Sequence, residues 1–205
     1  MQQALDAFEK YLHNDCIQPP LVRLAFIHYQ FEAVHPFLDG NGRIGRLLIS
    51  LLLANWNLLP LPLLYLSAYF EQHRQEYYER LLAVSQRGAW REWLRFFLQG
   101  VLAQGRDAIG RAKRMQDLQI NWRARLAEAR ASASVLRLAE SLFDSPLLTI
   151  PLAQTIMGMS YNGTKRSVEK LVEIGILQPI ADSAYGKMYV AEEIRGAIDG
   201  GGAGN

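Results

Sequence analysis

Cysteine occurs once in this 205-residue chain, as Cys16. No disulfide can therefore close within it, which suits a reducing compartment and makes a cytoplasmic location the expectation. An excess of either charge is also missing. The 22 Lys and Arg against 20 Asp and Glu leave a formal net charge of +2, so the whole-chain field does not by itself imply nucleic acid. The N-terminal segment MQQALDAFEKYLHND is charged and amphipathic and has no secretory leader pattern. A long clean apolar run is lacking too. The most apolar span, RLLISLLLANWNLLPLPLLYL, is interrupted by Asn55, Asn57, Pro60 and Pro62, well short of the roughly 20 residues that a membrane-spanning helix needs. It predicts a buried helix ending near Asn57, then a proline turn. What remains is 50% apolar and 20% charged, the composition of a soluble globular chain with room for one large domain or a medium and a small one.

Helical periodicity dominates residues 1–128. PPLVRLAFIHYQFEAV sets Leu21, Leu24, Ile27, Phe31 and Val34 at steps of three and four, with Pro19 and Pro20 at its start. LSAYFEQHRQEYYERLLAVSQRG and AWREWLRFFLQGVLAQGRDAIGRAKRMQDL repeat the pattern, the latter through Trp90, Trp93, Leu94, Phe97 and Val101. The expectation is an all-helical bundle with a linker helix. Arg and Lys outnumber acids between Arg106 and Arg130, which reads as the solvated face of a connecting helix or as a nucleic-acid surface. Residues 129–205 differ. A helix in ASVLRLAESLF is followed by a turn and short helix in SPLLTIPLAQTIMG, and by a longer helix from a capping Ser160 to Gly175. ILQPI and GKMYV are two short strands around the polar turn ADSAY. That order is a winged helix-turn-helix, with Tyr161, Asn162, Thr164, Lys165 and Arg166 opening its recognition helix. Lys165 and Arg166 are the tentative DNA contacts, and the alternative use of such a module is protein docking or dimerisation. The terminal GGAGN is expected to fray.

The densest chemistry lies in HPFLDGNGRIGR, residues 35–46. GNGRIG satisfies G-x-G-x-x-G, but a dinucleotide fingerprint must follow a strand within a βαβ unit, and here a helix precedes it. The glycines retain their physical use. Gly40 and Gly42 permit positive φ and close backbone approach, and their N–H groups, with those of Asn41 and Arg43, can line one concavity where a helix begins. A backbone nest at a positive helix end is a phosphate site. Arg43 and Arg46 project from one side of the first turn, and two arginines suit a polyphosphate. Asp39 beside them suits a hard divalent cation bridging phosphate oxygens. His35 can take a proton from an incoming hydroxyl near neutral pH. The competing reading is a histidine at a helix end and glycines that only make a turn. His13, His28 and His73 have no Cys or acidic partner at metal spacing and read as structural or surface residues; His28, seven residues before His35, can pack beneath the site.

The stretch resembles the Fic signature HPFx[DE]GNGRxxR at every specified position, and the flanking LAFIHYQFEAVHPF and PLLYLSAYFEQHRQEYYERL resemble the Fic helical core over roughly residues 1–105. The resemblance implies transfer of AMP from MgATP to a Ser, Thr or Tyr hydroxyl of a target protein, with release of pyrophosphate. It implies His35 as general base, Asp39 as the Mg²⁺ ligand, and Gly40, Asn41 and Gly42 as the nest around the α- and β-phosphates. Arg43 would grip the phosphates and Arg46 the γ-phosphate end. Tyr65, Tyr69, Tyr77 and Tyr78 are candidate adenine contacts, with core packing as the competing role for each. The C-terminal region resembles the winged domain of many bacterial Fic proteins, and a homodimer is a further expectation.

Two departures from the family pattern stand out. The inhibitory pattern [ST]-x-x-x-E-[GN] is not met, because no Glu is followed by Gly or Asn. The 34 residues before His35 read as two helices, which leaves the family's target-aligning flap unaccounted for and makes an N-terminally truncated form the expectation. Two other functions remain open: removal of AMP from a modified protein, and a DNA-binding regulator whose core is inactive or senses a ligand.

Overall fold

The computed structural model describes residues 2–14, 17–59, 64–183 and 186–200. Cys16, the proline turn, residues 184 and 185 of the expected polar turn, and the terminal GGAGN lie outside them. The chain divides into two compact units, Met1–Ala108 and Ile109–Asn205.

The first unit contains α1 (Gln2–His13), α2 (Pro20–Val34), α3 (Asn41–Asn55), α4 (Leu66–Gln72), α5 (Arg74–Arg87) and the first half of α6 (Trp90–Glu128). Its core joins Leu24, Ala25 and Tyr29 of α2 to Ile49 and Leu53 of α3, Phe70, Tyr77 and Val84, and Trp93, Phe96 and Phe97 of α6. Trp93 is fully buried, and its indole N–H donates to the Ala25 carbonyl at 3.0 Å, so the ring has its required partner.

The apolar span does form a helix, but α3 is not buried all round. Only a strip four residues apart, Asn41, Gly45, Ile49 and Leu53, is buried, while Leu47 and Leu51 are 58% and 57% exposed. The helix ends at Asn55 with Trp56 as its C-cap, close to the expected end near Asn57. Among the described residues no helix is long and apolar enough to cross a membrane.

The second unit takes the rest of α6, then α7 (Ala133–Ser141), β1 (Leu147–Thr149), α8 (Ile150–Met157), α9 (Tyr161–Glu173), β2 (Gln178–Ser183), β3 (Gly186–Val190) and α10 (Glu192–Asp199). Helix, short helix, longer helix and hairpin follow in the expected order. The strand β1 and helix α10 are additions. The three strands form an antiparallel sheet in the order β1-β3-β2, with Leu147 opposite Val190 and Pro179 opposite Tyr189. Pro179 is tolerated because β2 is an edge strand. The core gathers Trp122 and Leu126 of α6 with Leu138, Leu148, Ala153, Val168, Leu171 and Ile194. The sequence places the domain boundary after residue 128. The packing divides α6 itself, because its two ends bury their aromatic and leucine side chains in different cores. As expected, Ser160 caps α9, its hydroxyl accepting from the Gly163 N–H at 3.4 Å.

Candidate functional site

His35 ends α2. It adopts a left-handed conformation, φ 49°, while its N–H still bonds to the Phe31 carbonyl at 3.1 Å. For a non-glycine residue this conformation is uncommon and reverses the chain sharply. Pro36 follows, and within six residues α3 begins at Asn41 behind Gly40, whose φ of 81° needs a residue without Cβ.

Asn41 holds this turn together. It is 2% exposed; its Oδ1 accepts from the Phe37 N–H at 2.8 Å and its Nδ2 donates to the Phe37 carbonyl at 2.6 Å. Its side chain thus serves the loop rather than any anion. The Gly40 N–H donates to Asp39 Oδ1 at 2.7 Å. The N–H groups of Asn41, Gly42 and Arg43 open α3 and have no acceptor among the described residues, the first backbone bond of the helix being Ile44 N–H to the Gly40 carbonyl. Three unpaired donors at a helix start form an anion-binding concavity.

Both arginines border it. Arg43 lies 3.6 Å from Asp39, and both side chains are exposed, so the pair is weak and readily exchanged. Arg46 turns back along the helix. A methyl group built on Gly42 would stand 3.1 Å from its Nη1, so the lack of a side chain there leaves the guanidinium room. Arg43, Arg46 and Ser50 also border a cleft of about 280 Å³ lined on its far side by Leu64, Tyr65, Leu66 and Ser67. Of the four tyrosines singled out by sequence, Tyr65 alone lines this cleft. Tyr77 is buried, Tyr69 stacks on His73 at 4.2 Å, and Tyr78 lies under Arg74 at 5.9 Å.

A second layer lies beneath the helix start, and periodicity picked out only one of its members. His28 is buried, with Nδ1 3.3 Å from the Gly45 carbonyl and Nε2 3.0 Å from the Tyr77 hydroxyl. A carbonyl only accepts, so Nδ1 carries the proton and the Tyr77 O–H donates to Nε2. Burial, opposed by the Gly45 bond and reinforced by the Arg46 charge, pushes the His28 pKa down to about 3. Glu32 was not anticipated at all. One carboxylate oxygen is buried without a hydrogen-bond partner, and burial raises its pKa while the charges of Arg46 and His35 pull it down. The available clue was spacing: positions 28, 32 and 35 recur at helical steps on one face of α2.

His35, Asp39, Gly40, Asn41, Gly42, Arg43 and Arg46 thus come together around one turn and one helix start. Lys165 and Arg166 lie on the exposed face of α9 in the second unit. Among the described residues no group of three or more His, Cys, Asp or Glu could hold a metal by itself.

The Fic/DOC family model matches residues 1–53, which include the whole motif. The Caenorhabditis elegans protein adenylyltransferase fic-1 is 35% identical over 104 residues, 50% of this chain and 19% of that protein. The Drosophila erecta protein adenylyltransferase Fic is 33% identical over 94 residues, 45% of this chain and 18% of that protein. The chain therefore spans about a fifth of the length of these relatives. A crystal structure of a Fic family protein from Desulfovibrio desulfuricans G20 superposes with a TM-score of 0.52 at 22% identity, covering 93% of this chain and 54% of the other, a likeness of fold.

Proposed function

We propose that the chain, whose residues 1–53 match the Fic/DOC family model, transfers AMP from MgATP to a hydroxyl side chain of a target protein. The observation that carries this reading is the opening of α3: three unpaired N–H groups flanked by two arginines, with His35 one short turn away. The donors and Arg43 hold the phosphates near the reacting phosphorus, and Arg46, one turn deeper, holds the terminal phosphate. His35 takes the proton from the target hydroxyl as its oxygen attacks the α-phosphorus. The bond from that phosphorus to the β-bridging oxygen breaks, and pyrophosphate leaves with the electron pair. Tyr65 lines the cleft beside the arginines and offers a ring against the base.

Asp39 fits as the residue that would hold Mg²⁺. Its carboxylate is exposed, adjoins the free donors, and is engaged only by the Gly40 N–H and a loose pair with Arg43. Mg²⁺ commonly takes one or two carboxylates and completes its shell with phosphates and water. When bound it would neutralise phosphate charge. Incubation with α-labelled ATP, Mg²⁺ and a lysate is expected to label protein bands. Labelling that survives His35→Ala would remove His35 as the base.

For the second unit we propose DNA contact through a winged helix-turn-helix. Tyr161, Asn162, Lys165 and Arg166 are all exposed in the first half of α9, where a recognition helix meets base edges and phosphates. Lys165→Ala combined with Arg166→Ala is expected to weaken retention on duplex DNA and flatten its salt dependence. Unchanged retention at low salt would end this reading.

A further inference from the structure

We propose that the cleft between α9 and β3 is a binding site for a small aromatic ring carrying one anionic group. The cleft measures about 390 Å³, in the range of small-molecule pockets, and lies wholly in the second unit. Two periodicities build it. Tyr161, Lys165 and Glu169 recur at every fourth residue and form one stripe of α9. Lys187 and Tyr189, two apart on β3, stand on the same face of the sheet. Ile150 and Pro151, which open α8, complete the lining. β3 is the central strand, with Tyr189 opposite Leu148 on one side and Pro179 on the other, so this wall is held in register from both edges.

The lining offers a ring site and an anion site together. Tyr189 is 7% exposed, yet its hydroxyl has no hydrogen-bond partner among the described residues. A tyrosine so enclosed ordinarily finds one. Tyr161 borders the same cleft from α9 and is exposed, and the two rings make no contact with each other among the described residues. A flat ligand can therefore lie against either ring and give the Tyr189 hydroxyl a partner. Lys165 and Lys187 come from opposite walls. Lys187 makes no ion pair among the described residues, and Lys165 holds Glu169 only loosely, at 3.8 Å in an exposed pair. Two lysines against one glutamate leave the lining with one uncompensated positive charge, which a single anionic group balances. Duplex DNA, proposed above for the exposed face of α9, can set phosphates on the lysines, but its bases stay in the stack and away from Tyr189.

NMR titration of the full chain, without Mg²⁺ or nucleotide, tests the proposal. Benzoate and phenyl phosphate are the probes, and together they distinguish a carboxylate from a phosphate as the preferred anionic group. Benzyl alcohol supplies the ring without the charge; acetate and inorganic phosphate supply the charge without the ring. At least one probe is expected to shift the amide signals of Lys165, Lys187 and Tyr189, with a Kd about tenfold or more below that of either of its halves. Lys187→Gln should raise that Kd about fivefold. If that variant does not fold, Lys165→Gln is read in the same way. An unchanged Kd in the variant, halves that bind as tightly as the probes, or shifts confined to residues 40–46 of the nucleotide site would overturn the proposal. So would a short DNA duplex that shifts the Lys187 and Tyr189 signals when neither probe does, because the cleft would then belong to a DNA surface alone.

Discussion

His28 shows how a residue outside the motif governs it. Its neutral ring ties three helices together, accepting from Tyr77 of α5 and donating to Gly45 of α3. The folded pKa of about 3 lies below the ordinary histidine value of 6.5, so the unfolded chain binds more protons between those values. His28 therefore adds stability that is fully present above pH 6.5 and is lost as pH falls toward 3. The slope approaches about 1.4 kcal/mol per pH unit in the middle of that window. Denaturant titrations from pH 7 to 4 should show this component in the unmutated chain and its absence in His28→Asn. Equal pH slopes would mean that the ring is not held neutral. Gly45 carries the complementary prediction. Its conformation is ordinary, but an added methyl would meet the Glu32 carboxylate and the Phe31 ring. Gly45→Ala should destabilise by about 1–3 kcal/mol through overpacking, measured by denaturant midpoint.

At the scale of elements, the turn between α2 and α3 does most to build the site. A left-handed His35, a left-handed Gly40 and the two bonds from Asn41 to Phe37 fix where the free donors point. Asn41→Ala removes both half-buried bonds and leaves the Phe37 N–H and carbonyl without their partner, at a cost of about 1–2 kcal/mol. Nucleotide affinity should fall with it even though the Asn41 side chain faces away from the concavity. Affinity unchanged in a destabilised variant would show that the donors hold their aim without the clamp. This turn was legible in the sequence because Gly, Asn and a helix N-terminus have specific local chemistry. The burial of α3 was not. Its leucine-rich composition reads as uniformly apolar, whereas the buried strip uses Asn41 and Gly45 and leaves Leu47 and Leu51 outside. β1 escaped notice because three residues are too short for alternation to register, and its pairing with β3 depends on residues about 40 positions away. Glu32 escaped because a charged residue in the last turn of α2 looks solvated until the facing Gly45 is known.

At the scale of the molecule, the cores are two. One is built around Trp93, Phe97 and Leu24, the other around Trp122, Leu138 and Leu171, all 1% exposed or less. α6 supplies aromatic side chains to both, so the boundary at Ala108 falls within continuous helix and not in a linker. Backbone continuity alone couples two cores weakly, since most helical stability comes from the packing of each apolar face. Two calorimetric transitions are therefore expected. Leu171→Ala, at a site with no exposure, should cost about 2–5 kcal/mol. In a unit of this size that lowers one transition by roughly 10 °C or more and leaves the other in place. Leu24→Ala should do the reverse. A single transition that both variants shift equally would show that α6 transmits the loss of one core to the other, and nucleotide binding in the first unit would then depend on the integrity of the second.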